Sequence, residues 1–252
     1  MTPGLRARLR RAIPARVRLA VRRRGLTSWP PRGAIRFGSL RRTKPISSDF
    51  GFDRGMPVDR YYIEAFVHQH ADDLRGRVLE VGDDRYARAF GSDAVESVCV
   101  LNLAATGVAN EIVDDLARPQ RLRAEAFDCV ICVQTLHLIY DLEKALETLA
   151  SILRPDGVLI ATMPGISRIS SDPDGTWRDQ WRLTCASAAR AFGGAFGQGN
   201  ASVRGYGNVL TAIAFLHGIA AEELDQNELD FRDPAYDVVV GVRAVRAARA
   251  GN

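Results

Sequence analysis

Three polar side chains, Gln134, Thr135 and His137, interrupt the apolar run FDCVICVQTLHLI at 127–139. An imidazole with an unperturbed pKa near 6.5 exchanges protons close to neutrality, so His137 is suited to accept one from a hydroxyl. The run VDRYYIE at 58–64 adds Asp59 and Tyr61 as the next candidates for a reacting group. Cys129 and Cys132 have the CxxC spacing. On a strand, however, side chains three apart face opposite sides, so buried free thiols are expected rather than zinc or a disulfide. His68 and His70 fall on different faces of an expected helix, and no metal site is expected.

The elements that must hold His137 can be read from the same stretch. FDCVICV is short, apolar and β-branched, as a buried strand is. From Asp141, a candidate N-cap, the period becomes helical. Leu142, Ala145, Leu146, Leu149, Ile152 and Leu153 share one face, and Glu143, Lys144 and Glu147 lie on the other. Pro155 and Gly157 in RPDG end that helix, and VLIATMP forms a second buried strand. Strand, helix and strand make a right-handed βαβ unit with parallel strands. Ligands of open parallel sheets bind at the carboxyl ends of strands, so residues 134–137 and 164–167 should rim a pocket.

Around this unit, strands are expected at RVLEVG (77–82), VESVCVLNL (95–103), EIVDDL (111–116), ASVRGYG (201–207) and YDVVVGVRAVR (236–246). Helices are expected from Met56-Pro57, over DDRYARAF, over 187–197 and over 209–224. The helix before the first strand is expected to close over the pocket. The alternation predicts an α/β fold with a mostly parallel sheet and one late antiparallel strand.

Charge is unevenly placed. Residues 1–44 hold thirteen Arg, one Lys and no acid, so the remainder carries −10 of the overall +4. This divides the chain into a basic arm and linker, 1–48, and a folded body, 49–252, with a cap region at 49–74 and the sheet at 77–246. Leu5, Leu9 and Ile13 recur among arginines, and a basic helix with such a stripe can lie on an anionic membrane. A solvated tail is the competing expectation. No secretory signal is read, and the run VLTAIAFLHGIA at 209–220 is too short to span a bilayer. A cytoplasmic protein, peripheral at most at the inner membrane face, is therefore expected. The acidic body argues against a long nucleic-acid groove.

Several motifs resemble class I S-adenosylmethionine-dependent methyltransferases of the type 11-like group. They are VLEVG at 78–82, VDDL at 113–116, FDCVICVQTLHLI at 127–139 and LRPDGVLIATMPG at 153–165. The likeness covers roughly residues 77–246. It implies a Rossmann-like, seven-stranded sheet with helices on both faces and S-adenosyl-L-methionine as cofactor. Glu80 and Gly82 would then lie near its methionine end, Asn102 near the ribose and Asp115 near the adenine amine, with Asp83, Asp114 and Leu116 also among the cofactor-binding residues. Gln134 would sit close to the sulfonium, His137 would be the base, and Tyr61, Tyr140 and Trp181 would be pocket walls.

Two departures from the family pattern stand out. The loop expected to read ExGxGxG has Asp84 and Tyr86 in place of two glycines, and Asn102 replaces the usual acid at the end of the second strand. The resemblance implies O-methylation of a small molecule, sugar or glycan. The alternative is an inactive methyltransferase-like scaffold in glycan assembly. The fourth strand lacks the N/D-P-P-Y/F tetrapeptide of base amine methylation, and no Pro-Cys nucleophile occurs. No GxGxxG succeeds the first strand, which disfavours a nicotinamide enzyme.

Overall fold

A computed structural model of the chain describes residue 30, residues 34–170 and residues 177–248. The helices expected within 3–24 lie outside the described residues. The chain divides into two units, 1–44 and 45–252. The described part of the first holds a single 3-10 turn, Gly38–Leu40, with no buried residue. The second unit contains the sheet and its helices.

The strands of this unit are β1 (Gly76–Val81), β2 (Val95–Asn102), β3 (Glu111–Val113), β4 (Phe127–Val133), β5 (Leu153–Pro164), β6 (Ala201–Tyr206) and β7 (Val239–Val245). They form one seven-stranded sheet in the order β3-β2-β1-β4-β5-β7-β6. β1 to β5 pair in parallel, and β7 runs antiparallel between β5 and β6. The fold class is the one the sequence implies: Rossmann-like, mostly parallel, with a late antiparallel strand.

The central strands are largely apolar because both faces are covered. Cys132, Val130, Leu159 and Ala161 join Leu149, Phe192 and Phe196 on one face. That face carries α3 (Leu142–Ile152) and α4 (Cys185–Phe196). Cys129, Ile131, Val78 and Ile160 join Val58, Tyr62, Phe66 and Phe215 on the other. That face carries α1 (Val58–Gln69), α2 (Arg85–Phe90) and α5 (Val209–His217). The two thiols of the CxxC run are free, and they lie in opposite cores as strand alternation requires.

Three local expectations need correction. The helix expected over 209–224 stops at His217, because Gly218 takes a left-handed conformation (φ +64°) whose N–H bonds back to Phe215. A separate short helix, α6 (Gln226–Asp230), comes after it. Asp141 does precede α3, but its side chain makes no capping bond. α4 begins two residues before the expected start, because Thr184 and Ser187 form a reciprocal capping box.

Candidate functional site

The carboxyl ends of the parallel strands open onto two adjoining cavities that share Leu138 and Trp177 as wall residues. The smaller, about 180 Å³, lies between α1, the end of β4 and the loop after β5, with Asp59, Gln134, His137 and Ser167 among its walls. The larger, about 470 Å³, lies over the ends of β1 to β4, with Asn102, Asp114, Asp115 and Leu116 among its walls.

His137 owes its place to a 3-10 turn, Leu136–Leu138, directly after β4. Leu136 is fully buried and pins that turn to the sheet. The turn's carbonyl at His137 accepts the amides of Gln180 (2.9 Å) and Trp181 (3.1 Å), which folds the loop after β5 back over the ring. This brings Asp179 to the imidazole, with Nε2 3.1 Å from Oδ1. The other carboxylate oxygen, Oδ2, accepts the Ser170 amide (2.9 Å) and the Arg182 guanidinium. His137 is buried, and burial holds it well below the usual imidazole range. Asp179 pulls the other way, but Arg182 already balances its charge, so the ring is neutral near pH 7. Nε2 is the ring nitrogen that faces Asp179, and neither the facing Oδ1 nor Nδ1 has a hydrogen-bond partner; a neutral ring with its proton on Nε2 would carry its lone pair at Nδ1.

Two more buried polar atoms of this cavity's walls have no partner: Oδ1 of Asp59 and Nε2 of Gln134. Asp59 sits in the first turn of α1, and burial raises its pKa above the ordinary carboxylate range. Gln134 takes a left-handed backbone (φ +49°), held by its N–H to the Thr162 carbonyl at 2.9 Å. A strained non-glycine residue at a strand end, with its amide unpartnered, is the kind of feature that ligand sites retain. Buried polar atoms are almost always paired, so three orphans around one cavity point to a ligand that pairs them.

In the larger cavity, Asp114 and Asp115 do different work. The Asp114 carboxylate accepts the amides of Asp115, Gln120, Arg121 and Leu122 at 2.7–3.0 Å. Burial would raise its pKa, but those amides outweigh it and hold the group below its ordinary value. Asp115 uses only Oδ1, toward the Ala117 amide at 2.8 Å, which leaves Oδ2 for a ligand. Leu116 is buried and contributes an apolar wall. Asn102 gives its Nδ2 to Glu111 and Thr106 and keeps Oδ1 unused.

The loop after β1 differs from the sequence expectation in detail. Glu80 is buried, and its two oxygens accept the amides of Tyr86 (2.9 Å) and Ala87 (2.8 Å), capping α2 instead of lining a cavity. Burial pushes its pKa up to about 7 against those hydrogen bonds. Asp83 is exposed and accepts the Arg85 amide. Gly82 has φ +98°, and a Cβ there would meet nothing within 4 Å, so open space lies beside the backbone. Tyr86, in a glycine position, packs against Phe90 and accepts a 2.6 Å hydrogen bond from Arg60. Neither Asp84 nor Tyr86 is a wall residue of either cavity, so these departures do not fill the site.

Tyr61 is a correction. Its hydroxyl donates to Asp230 (2.6 Å) and accepts from Gln226 (2.5 Å), so it fastens α6 and borders neither cavity. Two residues of helix turn through about 200°, which separates Tyr61 from Asp59. Tyr140 is a wall of the larger cavity and stacks on Trp181, whereas Trp177 is the indole that borders both cavities. Asp179 is the functional candidate that sequence reasoning missed. Its only sequence signal is an acid inside the run WRDQWR. Among the described residues, no group of three or more His, Cys, Asp or Glu could hold a metal ion, and no helix is long and apolar enough to cross a membrane.

Residues 74–161 match a family described as "Methyltransferase domain". No curated protein matches the chain. Among solved structures, an S-adenosylmethionine-dependent methyltransferase from Mesorhizobium loti is 17% identical. That match covers 78% of this chain and 100% of the other, with a TM-score of 0.50. A putative sarcosine dimethylglycine methyltransferase from Galdieria sulphuraria is 14% identical, covering 76% and 90%, also with a TM-score of 0.50. Those likenesses are of fold. Residues 74–161 thus match a methyltransferase domain, and the fold is the one seen in S-adenosylmethionine-dependent methyltransferases.

Proposed function

We propose that the protein methylates a hydroxyl of a small-molecule, sugar or glycan acceptor, with S-adenosyl-L-methionine as methyl donor and His137 as general base. The observation that carries this reading is the set of three unpartnered atoms, Asp59 Oδ1, Gln134 Nε2 and His137 Nδ1, on the walls of one small cavity.

The residues present fit the cofactor. The larger cavity falls within the about 300–1,000 Å³ usual for small-molecule sites. Asp115 Oδ2 can accept from an adenine amine, and Asn102 Oδ1 can accept from a ribose hydroxyl. Gly82 leaves the backbone open at the end of β1. When bound, the cofactor supplies a methyl group made electrophilic by its sulfonium.

The chain's own contribution is placement and proton handling. Leu138 and Trp177 stand where the two cavities meet, so an acceptor in the smaller cavity is held beside the cofactor, which removes most of the entropic barrier. A hydroxyl that gains a methyl must lose its proton, and His137 Nδ1 is free to take it. Asp179, 3.1 Å from Nε2, is placed to stabilise the imidazolium that results. Pairing favours a hydroxyl over either charged group. A protonated amine only donates and would strand the Gln134 amide, and a carboxylate only accepts and would strand His137 Nδ1. Hydroxyls do both. A neutral amine could pair as a hydroxyl does, so methyl transfer to hydroxyl and amino acceptors decides between them.

Calorimetric titration with S-adenosylhomocysteine, then transfer of labelled methyl to a panel of sugars and polyols and their amino analogues, tests the reading. Binding of the nucleoside and labelling of hydroxyl acceptors is the expected result. No heat at millimolar ligand would overturn it in favour of a scaffold role, and labelling of amines alone would overturn the choice of hydroxyl.

A further inference from the structure

The end of β2 is where a dinucleotide- or nucleoside-binding α/β sheet places an acid for the ribose. Here that position is Asn102, a neutral amide. A carboxylate nevertheless stands one strand away. Glu111, at the start of β3, accepts from Asn102 Nδ2 at 2.8 Å. The same carboxylate accepts the Thr106 amide (2.9 Å), the Thr106 hydroxyl (2.7 Å) and the Gly107 amide (3.1 Å). Thr106 Oγ1 is a second acceptor for Asn102 Nδ2, at 3.3 Å. The Asn102 amide nitrogen thereby finds its acceptors in the loop between β2 and β3 and at the start of β3, and Oδ1 is the amide's one unused polar atom, on a residue that walls the larger cavity.

We propose that Glu111 is a positioning residue for nucleoside binding, acting through Asn102 to present Oδ1 to the ribose hydroxyls. The proposal rests on S-adenosyl-L-methionine occupying the larger cavity. An Asn amide is free to flip, and only a fixed acceptor on its nitrogen side decides which end faces the ligand; Glu111 is that acceptor. A charged acceptor on Nδ2 also polarises the amide and strengthens Oδ1 as an acceptor, because linked hydrogen bonds reinforce one another. The hydrogen bonds from Thr106 and Asn102 hold the Glu111 pKa down to about 2, so the carboxylate is charged throughout the working range. An acid absent from the end of β2 is thus supplied from β3, relayed by one amide.

A role confined to bracing the loop would leave ribose recognition untouched, and that difference is measurable. The wild-type protein and the variants Glu111→Gln, Asn102→Asp and the double swap Asn102→Asp/Glu111→Gln are titrated with S-adenosylhomocysteine. They are also titrated with adenosine and 2′,3′-dideoxyadenosine, and thermal melts report folding. Glu111→Gln should bind S-adenosylhomocysteine about tenfold more weakly and lose most of the preference for adenosine over its dideoxy analogue. Asn102→Asp alone should also weaken binding, because it sets two carboxylates against each other. The double swap restores one acid and one amide with the acid now facing the ligand, and should recover both affinity and preference. A Glu111→Gln protein that keeps wild-type preference overturns the proposal. So does a folded double swap that recovers nothing, which is the deciding comparison if Glu111→Gln alone melts early. Absence of S-adenosylhomocysteine binding by the wild type would defeat the cofactor reading itself, and this inference with it.

Discussion

Nε2 of His137 and Oδ1 of Asp179 face each other 3.1 Å apart in a buried pair, and both that oxygen and the opposite ring nitrogen, Nδ1, have no hydrogen-bond partner. An acid bound to one imidazole nitrogen fixes the tautomer at the other. Asp179→Asn can offer an N–H to Nε2 and so favour the tautomer whose proton sits on Nδ1, where the base is needed. The expected result is a kcat lower by about 10²- to 10⁴-fold, with S-adenosylhomocysteine affinity close to wild type. His137→Ala should match it. Near-normal turnover in either variant would remove this pair from the mechanism.

The lowered His137 pKa also fixes where acid should begin to inhibit. Burial favours the neutral ring, so a base at His137 would remain competent below pH 6.5, where a free imidazole would be mostly protonated. The unfolded chain binds the proton first. This group's contribution to stability is therefore full above about pH 6.5 and is lost as pH falls toward the folded pKa. The pH profile of kcat/KM should stay flat from about pH 7.5 to 5.5. A fall centred near 6.5 would show a solvent-exposed imidazole and contradict the buried geometry.

How much of the fold and site is legible in the sequence depends on the range of the interactions involved. The sheet is readable because β1, β4 and β5 are buried on both faces, which forces apolar runs that need no partner to identify them. The position of His137 on a cavity wall is readable because a polar residue after such a run has few places to go. Asp179 is not, because its meeting with His137 depends on two backbone hydrogen bonds that fold a distant loop over the ring. Tyr61 misleads because an apolar pattern reports which residues of α1 are buried, not which polar ones face a cavity. Gly218 cuts the helix expected over 209–224, because a glycine near the end of an apolar run reads equally as interior or cap.

Tyr61→Phe tests that correction. The lost hydroxyl bonds only to Asp230 and Gln226. Stability should fall by about 1 kcal/mol, with kcat unchanged. A large loss of kcat in a folded variant would return Tyr61 to the site.

Asp114 and Asp115 should separate cleanly. Asp115→Ala removes the oxygen available to a ligand and should weaken S-adenosylhomocysteine binding about ten- to a hundredfold, with little change in Tm. Asp114→Ala strips four backbone amides of their acceptor, and should lower stability by about 1–3 kcal/mol before any effect on affinity is considered. The reverse pattern, measured by calorimetry and melting, would exchange their roles.

Gln134 carries the most specific test of strain. Its left-handed backbone is one that Asn tolerates far better than Gln, because a shorter amide can bond locally. If the chain keeps Gln there for packing, Gln134→Asn should destabilise it. If the site needs an amide at Gln length, the same substitution relieves backbone strain and moves the donor one methylene away from the cavity. The expected outcome is therefore a folding stability equal to wild type or higher by about 0.5–1 kcal/mol, with kcat/KM reduced at least tenfold. Denaturant melts and initial rates on one preparation decide it. A variant that loses stability and keeps its rate would make the strain at the end of β4 a packing feature, and the unpartnered Nε2 would no longer mark a ligand.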